Sequence, residues 1–244
     1  MSYGGPKIDI TTYLASPPPN VSDTGVPALF LYEMNILAKA VIAQFIDEAG
    51  VSPKTADPVG IIASHIFTMP AFRWNDISLI DILTAKLHVV CPLLFGIYGD
   101  ETNNPGKARI GWWREAGGGP WVSEQRHRER MTGLGAGFAA LSARNYSKTE
   151  LRNPFPNYKY WQSFSYILNT PAQDITQTHF VVLKAMIEYN ETRMLELFGS
   201  AAIVLLRQAL VEFPKRNPAL ERSVGAVSLG GLADVLKKDK KIYL

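Results

Sequence analysis

Ile77-Ser-Leu-Ile-Asp-Ile-Leu-Thr-Ala-Lys86-Leu-His88-Val-Val-Cys91-Pro92 reads as one apolar helix, ended by its proline. Past it runs a polar loop with Lys107, Arg109, Trp112, Trp113 and Arg114. Ser123 then opens a second helix, with Arg126, Arg128 and Arg130 in its first turns and apolar residues from Met131 to Leu141. Two buried helices thus flank a loop and a helix start rich in fixed positive charge. That pattern suits a receptor for a polyanion better than it suits an active site.

The charge balance sharpens this reading. Between Lys107 and Lys159 the chain carries +6, whereas its formal net charge is +3, so the remainder sums to −3. Local excess, more than net charge, decides where an anionic partner sits. With 47% apolar and 19% charged residues over 244 positions, the chain can bury a full core. Cys91 is the single cysteine, which excludes an internal disulfide and fits a reducing compartment. The opening residues are polar and proline-rich, unlike a secretory signal. Val26–Ile46 is the longest apolar stretch, and its Glu33, Asn35, Lys39 and Gln44 make it a packed helix and not a membrane span.

Outward from the centre, the spacing predicts helices throughout. Residues 1–25, with Pro17-Pro18-Pro19, form an extended lead-in, and 26–244 form a single α-helical domain with a sub-boundary near 145–157. Helical spacing marks Val26–Ala49, with Gly50 as its C-terminal cap. Asp57 caps a helix with Pro58 at its first position, running to Met69, and Asp76 caps the next. After Asn153-Pro-Phe-Pro156 the spacing predicts a short aromatic helix over Tyr158–Leu168. A long run follows from Asp174 to Phe198, then Ser200–Phe213 closed by Pro214. A weak pair near Ala219–Val224 and Leu229–Lys238 ends the chain. No alternating strand pattern stands out. Helices paired by short proline-marked turns give an all-α, irregular HEAT-like array.

Several motifs tempt a catalytic reading. Asn104-Pro-Gly106-Lys107-Ala108 resembles the end of a phosphate loop, but Glu101 and Ala108 stand where glycine and a hydroxyl are needed. Gly133-Leu-Gly135-Ala-Gly137 follows no strand and lies inside a helical pattern, so its glycines allow close helix packing. His88 and Cys91 have no third orienting group, and the histidines lack metal-ligand spacing. No acid, base or nucleophile set converges, so the chain reads as a non-enzyme. Trp112, Trp113 and Trp121 among arginines either stack single-stranded RNA or pin a long loop to the helical body. The first option makes direct RNA binding the alternative function.

Cys91-Pro92, Arg109-Ile-Gly-Trp-Trp, Glu129-Arg130-Met131-Thr-Gly133, Asn153-Pro-Phe-Pro-Asn with Trp161, and Leu168-Asn-Thr-Pro171 leading to Ile175-Thr-Gln-Thr-His179-Phe180 occur in one order. Together they are similar to the C-terminal domain of the GLE-one family of messenger-RNA export factors, over roughly residues 26–213. The resemblance is strongest to fungal members. It implies a HEAT-like, MIF4G-like helical fold at the cytoplasmic face of the nuclear pore complex. It further implies a non-catalytic activator that binds a DEAD-box RNA-dependent ATPase. Inositol hexakisphosphate would be the bridging ligand, an FG nucleoporin peptide would dock near the C-terminal helices, and RNA contact would be indirect. The positions matching the family's ligand pocket are Lys54, Lys86, His88, Lys107, Arg109 and Arg114. Lys86 and His88, two apart on one helix, cannot both face one direction squarely.

Overall fold

The structure is a computed structural model that describes residues 5–15 and 24–244. Helix α1 spans Ala28–Gln44 and continues as a π-helical turn over Phe45–Ala49. By length and composition this segment could cross a membrane. Its Met34, Ala38, Val41, Phe45 and Ala49 are instead buried in the core. Gly50 stands at the C-cap position, as expected, in the right-handed conformation at φ −60°. It is glycine because a Cβ there would lie 2.3 Å from the Ile46 carbonyl oxygen and 2.8 Å from that of Glu129.

The lead-in is only partly as expected. Strand β1 (Lys7–Asp9) pairs antiparallel with β2 (Gly25–Pro27), and Ile10 and Val26 are buried. The opening segment therefore closes onto the domain; Pro17-Pro18-Pro19 lies outside the described residues.

Helix α2 covers Ala56–Thr68 after a 3-10 turn at Pro53–Thr55. Asp57 sits inside the first turn and caps nothing. Its carboxylate is taken by Arg193 Nη1 at 2.7 Å and by Arg144. Burial works to raise its pKa, yet the hydrogen bond from Arg193 and the charge of Arg144 hold the carboxyl below its ordinary value. Asp76 is likewise no cap. Asn75 (φ 46°) and Asp76 (φ 60°) form the two-residue turn between β3 (Arg73–Trp74) and β4 (Ile77–Ser78), where both central positions need positive φ. Helix α3 then spans Ile80–Val90.

After a 3-10 turn at Pro92–Phe95 come the short helix α4 (Asn104–Arg109) and the long helix α5 (Glu124–Ser142). Helix α6 spans Tyr158–Leu168 as expected, following the Asn153-Pro-Phe-Pro break that buries Phe155 edge-on against Phe138. The predicted run to Phe198 is two helices, α7 (Gln177–Ile187) and α8 (Glu191–Phe198), because the chain turns at Tyr189, φ +68°. Gly199, φ +56°, separates α8 from α9 (Ser200–Arg207). A π turn at Gln208–Glu212 extends α9 to the buried Phe213-Pro214. The predicted terminal pair is one helix, α10 (Val224–Val235), prolonged to Lys240.

Helix α5 lies at the centre, packed chiefly against α7, the Phe45–Ala49 turn and α2. Its glycines are what admit these neighbours. A Cβ on Gly133 would fall 2.0 Å from the Phe45 carbonyl oxygen, and one on Gly137 would fall 2.3 Å from the Phe45 ring. The buried apolar cluster runs without interruption from Ile10 to Leu236, so both sides of 145–157 share it. The described residues thus form an all-α helical array with two minimal strand pairs at its edge.

Candidate functional site

The loop between α3 and α5 is ordered by its own polar chemistry. Asp100 accepts from the Thr102 backbone N–H (2.8 Å) and from Asn103 Nδ2 (2.7 Å). Asn103 in turn caps α4 by accepting from Gly106 N (2.7 Å). Gly106 lies so close to the Asp100 backbone that a Cβ would meet its carbonyl oxygen at 2.0 Å. The glycine resembling a phosphate loop is therefore a packing contact at a helix start.

The three tryptophans pin this loop. Trp112 stacks on His127 at 3.9 Å, with Lys107 Nζ 5.1 Å from its ring centre. Arg130 covers Trp113 at 4.3 Å and Arg114 covers Trp121 at 4.6 Å. Trp112 donates its indole N–H to Glu101 and Trp121 donates to Asn104. Each ring thus already has a cationic or imidazole partner.

Beneath the loop, Glu101 accepts from the Gln177 backbone N–H at 3.1 Å and from the Thr178 hydroxyl, tying the loop to the start of α7. Since Thr178 donates to Glu101, His127 must donate its Nε2–H to Thr178, at 2.9 Å. His127 Nδ1 is then a bare acceptor with no partner. Burial first, then Arg130 and Lys107, push this histidine's pKa down to about 3. His179, which accepts the Thr176 backbone N–H at 3.1 Å, is pushed down to about 3 by burial alone. Both are neutral structural groups.

The structure parts the six expected ligand positions. Lys54 lines a cavity of about 180 Å³ with Asp57 and Arg193. Lys107 lines one of about 580 Å³ with Trp112, Trp121, His127 and Arg128. Lys86 lines a groove of about 790 Å³ between α1 and α3. His88 is exposed and packs on Phe95, with ring centres 4.8 Å apart. Arg109 is exposed on α4, and Arg114 lies on Trp121 and donates to the Gly119 carbonyl. No cavity described is lined by two of the six. The loop nevertheless abuts the end of α3, because Gly111 (φ +88°) carries its backbone against the Val90 carbonyl.

One cation absent from that set is Lys39. It lines the same groove as Lys86, and burial together with the Lys39 charge lowers the Lys86 pKa. The two like charges disfavour each other, and the rest of the lining is apolar apart from Tyr13, Asn35 and Asp81. Sequence periodicity assigns α1 to the core, and only the packing of α1 on α3 reveals this pairing. Cys91, by contrast, is wholly buried and its thiol is pushed up to about 12, so it forms no reactive pair with His88. Among the described residues no group of three or more His, Cys, Asp or Glu can hold a metal ion.

A profile of the family described as GLE1-like protein matches residues 8–210. The chain is 50% identical over 223 residues to the mRNA export factor GLE1 of Chaetomium thermophilum, covering 91% of this chain and 41% of that protein. It is 28% identical over 213 residues to the mRNA export factor GLE1 of Saccharomyces cerevisiae, covering 86% and 38%. The chain therefore spans about two fifths of the length of these curated relatives. A solved structure of a variant S. cerevisiae Dbp5 C-terminal domain bound to Gle1 and IP6 contains a chain that superposes with a TM-score of 0.73. The identity there is 27%, over 86% of this chain and 69% of that one. A second such complex, with a variant Gle1, superposes with the same TM-score at 26% identity.

Proposed function

This chain belongs to the GLE1-like protein family, and from that membership we propose that it is the ATPase-activating domain of an mRNA export factor working at the cytoplasmic face of the nuclear pore complex. Its partner would be a DEAD-box RNA-dependent ATPase, and inositol hexakisphosphate (IP6) would bridge the two. The observation that supports the proposal is the superposition, over most of the chain, on one chain of a solved complex of the Dbp5 C-terminal domain, Gle1 and IP6. A relative half identical in sequence bears the name of an export factor.

The chemistry is that of a charged adhesive. Two cationic protein surfaces repel, whereas a compact polyphosphate bound to one offers its remaining phosphates to the other. On this chain we assign Lys86 of α3 and Lys39 of α1 as the pair facing the ligand, with His88 on the same helix. Lys107, Arg109 and Arg114 on the loop are the competing holders, and Lys54 is the most isolated of the six. Activation needs no catalytic side chain. A scaffold that binds the open arrangement of a two-lobed ATPase better than the closed one speeds product release. The FG nucleoporin peptide is assigned to α10. There Leu229, Leu232 and Leu236 are buried on the domain while Val224 and Val227 stay 70% and 62% exposed.

One calorimetric series tests both assignments. Lys39→Gln and Lys86→Gln are each expected to weaken IP6 by roughly 10- to 100-fold, the loss of a charge-assisted contact. Lys54→Gln is expected to change affinity less than about threefold, on the order of an exposed charge. Affinity that survives Lys39→Gln and Lys86→Gln but falls with Lys107→Gln, Arg109→Gln or Arg114→Gln moves the ligand to the loop. An FG-repeat peptide titrated in the same cell should lose its heat in Val227→Asp, and unchanged heat would remove α10 as its dock.

A further inference from the structure

A second cationic cavity, remote in sequence from the loop between α3 and α5, lies where the β3–β4 turn meets the segment leading into α6. It measures about 560 Å³ and is lined by Arg73, Arg152 and Lys159, with Asn153 and Tyr158 beside them. None of the three cations takes part in the ion pairs found among the described residues, which use Arg126, Arg128, Arg144, Lys184, Arg193 and Arg207.

Arg73 is the sharpest observation. Its Nε is buried and has no hydrogen-bond partner. Two other buried atoms share that state, and both have a local explanation: the Arg130 guanidinium is spread over Trp113, and His127 Nδ1 is a bare acceptor. Among the described residues Arg73 has neither a ring nor a carboxylate against it. The Nε itself is closed to solvent, so an anion in the cavity would meet the Arg73 guanidinium at its other nitrogens.

Two acids, Asp76 and Asp81, also line the cavity, so three cations stand against two carboxylates. Asp81 accepts from the Ala15 backbone N–H at 2.8 Å, and Asp76 lies in the β3–β4 turn. The cationic side is fixed in advance. The Thr68 hydroxyl donates to the Arg152 carbonyl, Asn153 accepts from the Phe155 backbone N–H at 2.9 Å, and Phe155 is buried against Phe138. Lys159 lies in the first turn of α6, an eleven-residue helix, where the helix dipole adds to its charge.

We propose that this cavity is a phosphate-binding site separate from the α1–α3 groove, taking a compact phosphorylated small molecule with the half-buried Arg73 as its anchor. The volume falls in the range of small-ligand sites, about 300–1,000 Å³. Arg152, which is exposed, and Lys159, half-buried like Arg73, supply the remaining charge.

The test is isothermal titration of the whole chain with inorganic pyrophosphate at low and at moderate salt. The expected result is salt-sensitive binding that weakens at least tenfold in each of Arg73→Gln, Arg152→Gln and Lys159→Gln, and less than twofold in Lys86→Gln. Arg73→Lys, which keeps the charge and removes the planar guanidinium fork, is also expected to weaken binding about tenfold. If Arg73→Gln fails to fold, judged by circular dichroism, the variants at Arg152 and Lys159 carry the result. No binding to the wild-type chain overturns the proposal. So does affinity unchanged in the three cavity variants, or affinity lost only with Lys86→Gln. A phosphoserine peptide binding ten times tighter than pyrophosphate overturns the assignment to a compact ligand. Because the groove variants report on the bridging ligand and the cavity variants on this one, failure of either reading is seen separately.

Discussion

Gly133→Ala is expected to lower the unfolding free energy by about 3 kcal/mol, the upper part of the range for overpacked cores. On propensity alone the change should stabilise α5 by roughly 1 kcal/mol, since alanine outranks glycine in a helix interior. Packing decides the sign. The new methyl would stand 2.0 Å from the Phe45 carbonyl oxygen and 2.8 Å from the Gly50 nitrogen. Both are backbone atoms, of the π turn that follows α1 and of its C-terminal cap, so no side chain can rotate away and the two helices must part. Gly231→Ala on α10, with nothing within 4 Å of its Cβ position, provides the contrast. There the gain should appear unopposed, at about 0.5–1 kcal/mol. Urea titrations of the two variants against wild type check both. Equal stability of Gly133→Ala and wild type would contradict the backbone-to-backbone contact at the centre of the fold.

Acid is expected to act nearly as strongly. His127 and His179 are held neutral in the folded chain, with pKa values near 3 against an ordinary 6.5. In the unfolded chain both take up a proton near pH 6.5, so unfolding binds two protons across the interval below it. Stability is therefore fully present above pH 6.5 and falls as the pH drops toward 3. Between pH 7.5 and 5.5 the two together should cost about 2.5–3 kcal/mol. That figure barely depends on the folded-state values, since both lie well below 5.5. Asp57, whose folded pKa is lowered, loses its contribution only at more acidic pH, in the carboxylate range, and so leaves this window clear. Denaturant midpoints across the window measure the slope, and His179→Gln should halve it. A flat profile from pH 7.5 to 5.5 would mean that one or both imidazoles titrate freely.

Local signals made some elements readable and hid others. The helix Tyr158–Leu168 follows from the Asn153-Pro-Phe-Pro break and from Tyr160, Phe164 and Ile167 at helical spacing, all of which are buried. The glycines of α5 were legible as packing residues because no strand precedes them. The turn at Tyr189, φ +68°, was not, since neither glycine nor proline marks it. Asp57 looked like a cap because proline follows it. Its partners Arg144 and Arg193 lie 87 and 136 residues away, beyond any local reading. The same limit governs the candidate site. Lys86 stands out on an apolar helix, but its companion Lys39 belongs to another helix, and the unpartnered Nε of Arg73 is a property of packing alone.

The most direct measurement is the ATP turnover of an RNA-loaded DEAD-box ATPase of the mRNA-export pathway, with and without this chain and with and without IP6. The chain alone is expected to raise turnover, IP6 to raise it further, Lys39→Gln or Lys86→Gln to remove the IP6-dependent part, and the chain by itself to hydrolyse no ATP. Turnover unmoved by the chain at saturating IP6, or hydrolysis by the chain in the absence of the ATPase, would contradict a non-catalytic activator.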